Sequence, residues 1–167
     1  VGISRYTPEQ TEAAIRTLRE LGTPMLIHQE NYSMLNRKIE TGLTDVLTRE
    51  GVGLIAFGPL AGGRLTGKYQ SGIPADSRMR TDGRFLNEKQ LTPERLQLLQ
   101  KLQAAAQARG EKLAQLAMHW ILRQPAVTSV LIGASKPEQV QDALEMVQQA
   151  PLTDADIQEI EQILKAN

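Results

Sequence analysis

Four short apolar runs alternate with segments of helical periodicity, and no other feature of the chain constrains its fold so tightly. The runs are Val1 to Ile3, Met25 to His28, Leu54 to Phe57 and Ser129 to Ile132. Each opens into a loop. Strands joined through helices take right-handed crossovers, which produce a parallel sheet covered by helices. Apolar runs without polar alternation agree, since strands of such a sheet are buried on both faces. The expectation is an α/β fold. Periodicity alone does not separate an open doubly wound sheet from a segment of a (β/α)8 barrel.

The helices carry their own punctuation. Thr7-Pro8-Glu9-Gln10 predicts a helix start, with Thr7 as N-cap and Gln10 closing a capping box; Ala14, Leu18 and Leu21 form one face and Gly22 ends it. A shorter helix is expected from Leu43 to Arg49, stopped at Gly51. Thr92-Pro93 starts another, with Leu96, Leu99, Leu102 and Ala106 on its inner stripe and Gly110 beyond it. Leu113, Leu116, Ala117, Trp120 and Ile121 mark the next. Pro137 opens a helix carrying Val140, Leu144 and Val147, and Thr153 caps one carrying Ile157, Ile160 and Leu164. The polar stretch from Gln70 to Gln90, rich in Gly, Pro, Arg and Asp, reads as a long loop of the kind usually tied to function.

Composition mainly excludes. With 19 basic and 19 acidic side chains the formal net charge is zero, so no global field draws the chain to nucleic acid or an acidic membrane. The absence of cysteine removes disulfides, thiolate metal sites and cysteine nucleophiles. The two histidines, His28 and His119, stand far apart and read as structural. No metal-ligand spacing is present and no metal is expected. No apolar run is long enough to cross a bilayer and no signal-peptide pattern opens the chain, so a cytoplasmic protein is the default expectation.

Chemistry concentrates in Gly53-Leu-Ile-Ala-Phe-Gly-Pro-Leu-Ala-Gly-Gly-Arg-Leu-Thr-Gly-Lys-Tyr69. An apolar run breaks at Gly58-Pro59 into a loop whose bare backbone can approach a ligand closely, and Lys68 and Arg78 bring positive charge suited to an anion. The passage resembles the seventh strand and following loop of aldo-keto reductases. Val1-Gly2-Ile3-Ser4 looks like that family's fifth strand, His28-Gln29-Glu30-Asn31-Tyr32 like the end of the sixth, and Ser129 to Gln139 like the eighth strand and its helix. The likeness is strongest to the branch holding bacterial glyceraldehyde-3-phosphate reductases and potassium-channel β subunits. It implies that residues 1–167 are the C-terminal half, strands 5–8, of a (β/α)8 TIM barrel, the N-terminal half being absent.

The resemblance also assigns roles toward NADP(H). Ser4 and Gln29 match residues holding the nicotinamide carboxamide, and Phe57 matches the aromatic stacked on the nicotinamide ring. Gly58, Pro59, Leu60, Ala61 and Gly62 continue as the loop over the pyrophosphate, with Lys68 and Arg78 reaching the phosphates. Gly133, Ser135, Gln139 and Asp142 match the adenosine-phosphate pocket, where a helix N-terminus suits a 2′-phosphate. Plainer readings stand beside these: Ser4 ending a strand, Phe57 in the core, Ser135 capping a helix, Lys68 and Arg78 as solvated charge. Arg5 stands where the family commonly has Asn, Gly58 where it often has Ser, and Ala143 where it commonly has Asn.

The implied activity is reduction of an aldehyde or ketone by an NADP-dependent oxidoreductase, with a small-molecule carbonyl substrate. The family's catalytic tetrad lies on its first four strands, so no catalytic residue is assigned in this chain. The alternatives are an NADP(H)-binding regulatory protein, and a half-barrel without turnover that forms a homo-oligomer through its open strand edges.

Overall fold

The structure, a computed structural model, describes residues 1–68 and 91–166. In chain order the elements are β1 (Gly2–Ser4), α1 (Pro8–Glu20), β2 (Ile27–Asn31), a 3-10 turn (Lys38–Glu40), α2 (Leu43–Glu50), β3 (Gly53–Phe57) and a 3-10 segment (Ala61–Thr66). They continue with α3 (Pro93–Ala108), α4 (Leu113–Leu122), β4 (Val127–Leu131), α5 (Pro137–Met146) and α6 (Asp154–Lys165). The chain divides into two units, Val1–Pro59 with Ile121–Gly133, and Leu60–Trp120 with Ala134–Asn167.

The first unit holds the sheet. Its four strands are parallel and lie side by side in sequence order, β1-β2-β3-β4. That order resolves what periodicity left open. A doubly wound sheet reverses its strand order at a switch point, whereas here every crossover steps to the next neighbour, the winding of a (β/α)8 barrel taken through four strands. Among the described residues β1 and β4 are each paired along one edge only.

Register sorts the strand residues into two faces. Ile3, His28, Leu54 and Val127 pair in one row, and His28 and Leu54 in it are fully buried. Ser4, Gln29, Ile55 and Ser129 pair in the next row, followed by Asn31, Phe57 and Leu131, and every member of these rows keeps some exposure. One face is therefore covered and the other open. In this unit α1 buries Thr11 and Ile15, while α2 buries Leu43, Val46 and Leu47. Burying Leu47 and Leu54 completely contributes about 1.5–3 kcal/mol each. The Arg19–Glu50 pair at 2.9 Å and the Arg49–Glu12 pair join α1 to α2 at the surface, where ion pairs contribute little.

Local signals account for the helix ends. Thr7 Oγ1 accepts from Gln10 N at 3.2 Å while Gln10 Oε1 accepts from Thr7 N at 2.9 Å, completing the expected box. Gly51 ends α2 in the left-handed region, φ 67°. The strands begin differently from the apolar runs. β2 starts at Ile27 and extends through the polar Gln29-Glu30-Asn31, because ladder bonds from two flanking strands outweigh the weak preference of those residues.

The second unit packs α3 against α6. Leu98 and Ala105 join Leu99, Leu102 and Ala106 in its core, so the buried stripe is wider than the one read from sequence, and Leu96 lies at its half-buried margin. A charged network closes the unit: Arg109 donates to Glu111 Oε1 at 2.9 Å and to Asp156 Oδ2 at 2.5 Å, and His119 Nδ1 lies 3.2 Å from Glu111 Oε2. The helix expected at Pro137 forms, and the residues it carries lie open: Val140, Leu144 and Val147 are 44%, 63% and 72% exposed, and α5 buries only Met146. The periodicity was real, but nothing described covers that face.

Candidate functional site

Two adjacent rows on the open face of the sheet bring the first group of candidates together. Ser4 stands beside Gln29, and Phe57 lies two residues beyond the position opposite it. Ser4 Oγ donates to the Gln29 carbonyl at 3.1 Å, and Arg5 N donates to the same oxygen at 3.1 Å. One carbonyl thereby ties the end of β1 to β2. Gln29 and Phe57 are half-buried on that face, anchored by their strands.

Backbone conformation marks the same region. Arg5 is held at φ 63°, a left-handed conformation that costs an L-residue with a long side chain about 1–2 kcal/mol. Sequence reasoning treated Arg5 only as a departure from Asn; its strain at a strand end is a signal visible in coordinates alone. Gly58 follows Phe57 at φ 65°, and a Cβ there would stand 2.9 Å from Asn31 Nδ2. Asn31 itself went unassigned; its Oδ1 accepts from Asn36 Nδ2 at 2.6 Å, bracing the end of β2. Pro59 is buried, and Gly133 is exposed at the far end of the unit's last segment. Tyr32, fully buried, donates to Glu40 Oε1 at 2.7 Å, and burial followed by that carboxylate pushes its pKa up. It serves structure.

The second unit carries the other candidates. Leu60 leads into the 3-10 segment, where Ala61 (φ 51°), Gly62 (φ 72°) and Gly63 (φ 100°) turn the backbone through conformations that strand and helix avoid. Fully buried Leu65 anchors the segment, and Arg64 Nε donates to the Ala61 carbonyl at 2.8 Å. Arg64 was missed from sequence, though it sits inside the glycine-rich run. Lys68 is exposed at the end of the segment, and Arg78 lies outside the described residues.

At α5, Gln139 Oε1 accepts from Ser135 N at 2.8 Å and from Lys136 N at 3.3 Å. Glutamine, rather than the Ser135 hydroxyl, engages those two N–H groups, and an anion bound there would have to displace it. Asp142 is paired with Lys112 Nζ at 2.5 Å, so its carboxylate is already engaged. Among the described residues no group of three or more His, Asp or Glu side chains could hold a metal ion, and no helix is long and apolar enough to cross a membrane.

The aldo/keto reductase family pattern matches residues 1–165. This chain belongs to that family. It is 46% identical over 166 residues to L-glyceraldehyde 3-phosphate reductase of Escherichia coli K12, covering 97% of this chain and 48% of that protein. The O157:H7 counterpart is 45% identical over the same length. A probable voltage-gated potassium channel subunit beta of Arabidopsis thaliana is 37% identical over 145 residues, 84% of this chain and 44% of that protein. The chain spans about half the length of the curated relatives it matches.

Proposed function

We propose that this chain is the cofactor-binding half of an NADP(H)-dependent aldo-keto reductase that reduces aldehydes or ketones to alcohols. The observation that carries the reading is the Ser4–Gln29–Phe57 constellation, set on three adjacent strand ends of an open sheet face. Barrel enzymes gather their chemistry at these C-terminal ends. A substrate resembling glyceraldehyde 3-phosphate is favoured by the 46% identity to a reductase named for that compound.

The dinucleotide brings hydride donation to a carbonyl carbon; the chain's part is to hold and orient. Gln29 offers amide donor and acceptor, and Ser4 Oγ keeps its acceptor lone pairs while its proton is spent on the Gln29 carbonyl, a pair suited to a carboxamide. Phe57 supplies a flat apolar surface at low entropic cost, fixing which face of a nicotinamide is presented. Gly58, Pro59, Leu60, Ala61 and Gly62 supply backbone to a pyrophosphate, with charge from Lys68 and Arg78. Gly133, Ser135 and Gln139, with Lys136, answer a 2′-phosphate, which favours NADP over NAD. Asp142 serves adenine only by leaving Lys112. Proton delivery to the nascent alkoxide belongs to a complementary half-barrel, which also supplies four strands to the open edges. The setting is cytoplasmic, without nucleic-acid or membrane partners.

The test is carbonyl-dependent NADPH oxidation by the protein with and without that complementary half. Turnover only when both are present supports the reading, and turnover that ignores the carbonyl overturns it. A second reading, an NADP(H)-binding regulatory protein, is favoured by the 37% identity to a potassium channel β subunit. It predicts tight NADPH binding with negligible turnover in the same assay.

A further inference from the structure

His28 is an imidazole in an aliphatic setting. Its strand neighbours by register are Ile3 on β1 and Leu54 on β3, with Val127 next beyond Leu54. The side chain is fully buried, and neither Nδ1 nor Nε2 meets a partner at good hydrogen-bonding geometry, the Tyr6 backbone engaging the ring only weakly. Buried polar atoms are rarely left so, because each gives up its bonds to water with nothing in return. A neutral ring can bear that cost as a small flat packing element. A charged ring fares worse, because its positive charge would be buried beside Ile3 and Leu54, a cost that Glu30 and the Tyr6 backbone only partly offset. The candidate cofactor site has no use for His28, which points to the covered face of β2 while Gln29 points to the open one.

We propose that His28 is an acid-sensitive latch in β2: neutral, its ring completes the aliphatic row, and protonated it cannot remain, so the strand end bearing Gln29 is given up. The charge acting on the ring is Glu30, two residues along the same strand, whose Oε1 accepts from Asn31 N at 2.7 Å; the Tyr6 backbone, from the β1–α1 connection, acts more weakly in the same sense. From β1 and β3 the facing partners Ile3 and Leu54 are uncharged. Burial outweighs both polar influences and holds the His28 pKa below the ordinary histidine value of 6.5. The unfolded chain therefore takes the proton first as pH falls. The stabilisation is fully present above about 6.5 and drains away below it.

The chain has only two histidines and no cysteine, which leaves few groups to titrate between pH 5.5 and 7.5. Urea unfolding of the purified protein, followed by far-UV circular dichroism across that range, reads the latch directly. The folding equilibrium constant is expected to fall by up to about tenfold per pH unit below about 6.5. His28→Leu should abolish most of that slope and His119→Gln should keep it. A flat wild-type profile, or a slope that survives His28→Leu, overturns the proposal. Should His28→Leu not fold, proton NMR of the wild-type histidine rings decides. A His28 ring that stays neutral until the protein unfolds supports the latch, and one that titrates near 6.5 in the folded protein refutes it.

Discussion

Replacing Gly58 by alanine separates two costs that the structure superimposes at the end of β3. The backbone stands at φ 65°, where an L-residue pays about 1–2 kcal/mol. The new Cβ would also lie 2.9 Å from Asn31 Nδ2, too close to be accommodated without moving that amide. Asn31 is not free to yield, since its Oδ1 holds Asn36 Nδ2 at 2.6 Å, and losing a bond of this kind costs about 1 kcal/mol. Gly22→Ala provides the reference: its φ is 68° and nothing lies within 4 Å of its Cβ position, so it pays the conformational cost alone. Gly58→Ala should therefore lose about 2–3 kcal/mol and Gly22→Ala about 1–2 kcal/mol. The difference of about 1 kcal/mol is roughly fivefold in the folding constant. Urea unfolding of both variants measures it. Equal losses would show that the Gly58–Asn31 approach carries no energy, and the bracing of β2 would fall with it.

Phe57→Leu should weaken NADPH binding by roughly 3–10-fold, about 0.5–1.5 kcal/mol of ring stacking, measured by fluorescence titration of the cofactor. Stability should change little beside it, because Phe57 is only half-buried. Glu111→Gln removes the carboxylate, 1% exposed, that Arg109 and His119 share, and should cost about 3 kcal/mol in urea unfolding. Leu144→Glu places charge in the exposed α5 stripe and should leave helicity by circular dichroism and the urea midpoint nearly unchanged, because Leu144 is 63% exposed.

Most of the fold was legible because its signals are local. Thr7, Thr92 and Thr153 each cap a helix through their own side chains, and Gly51 closes α2 in a left-handed conformation that glycine enters without the cost other residues pay. Barrel winding was not legible from periodicity, since strand order is a non-local property that only pairing reveals. The polar extension of β2 escaped for a related reason, its ladder being supplied by neighbours. The exposure of the α5 stripe was not legible, because a 3.6-residue period reports an apolar face but not what lies against it. In the candidate site, side chains with a motif around them, such as Gln29 and Phe57, could be named from sequence. Those whose part is set by backbone strain or a local brace could not: Arg5 at positive φ and Asn31 braced by Asn36; Asp142 could be named, but not its pairing with Lys112.

The most direct test of the cofactor-half account is calorimetric titration of NADPH into the purified protein, alongside its Gln29→Ala variant. The account predicts saturable binding of one NADPH per chain, tighter than NADH, and weakened several-fold when the Gln29 amide is removed. No saturable binding, or binding that Gln29→Ala leaves unchanged, would contradict it.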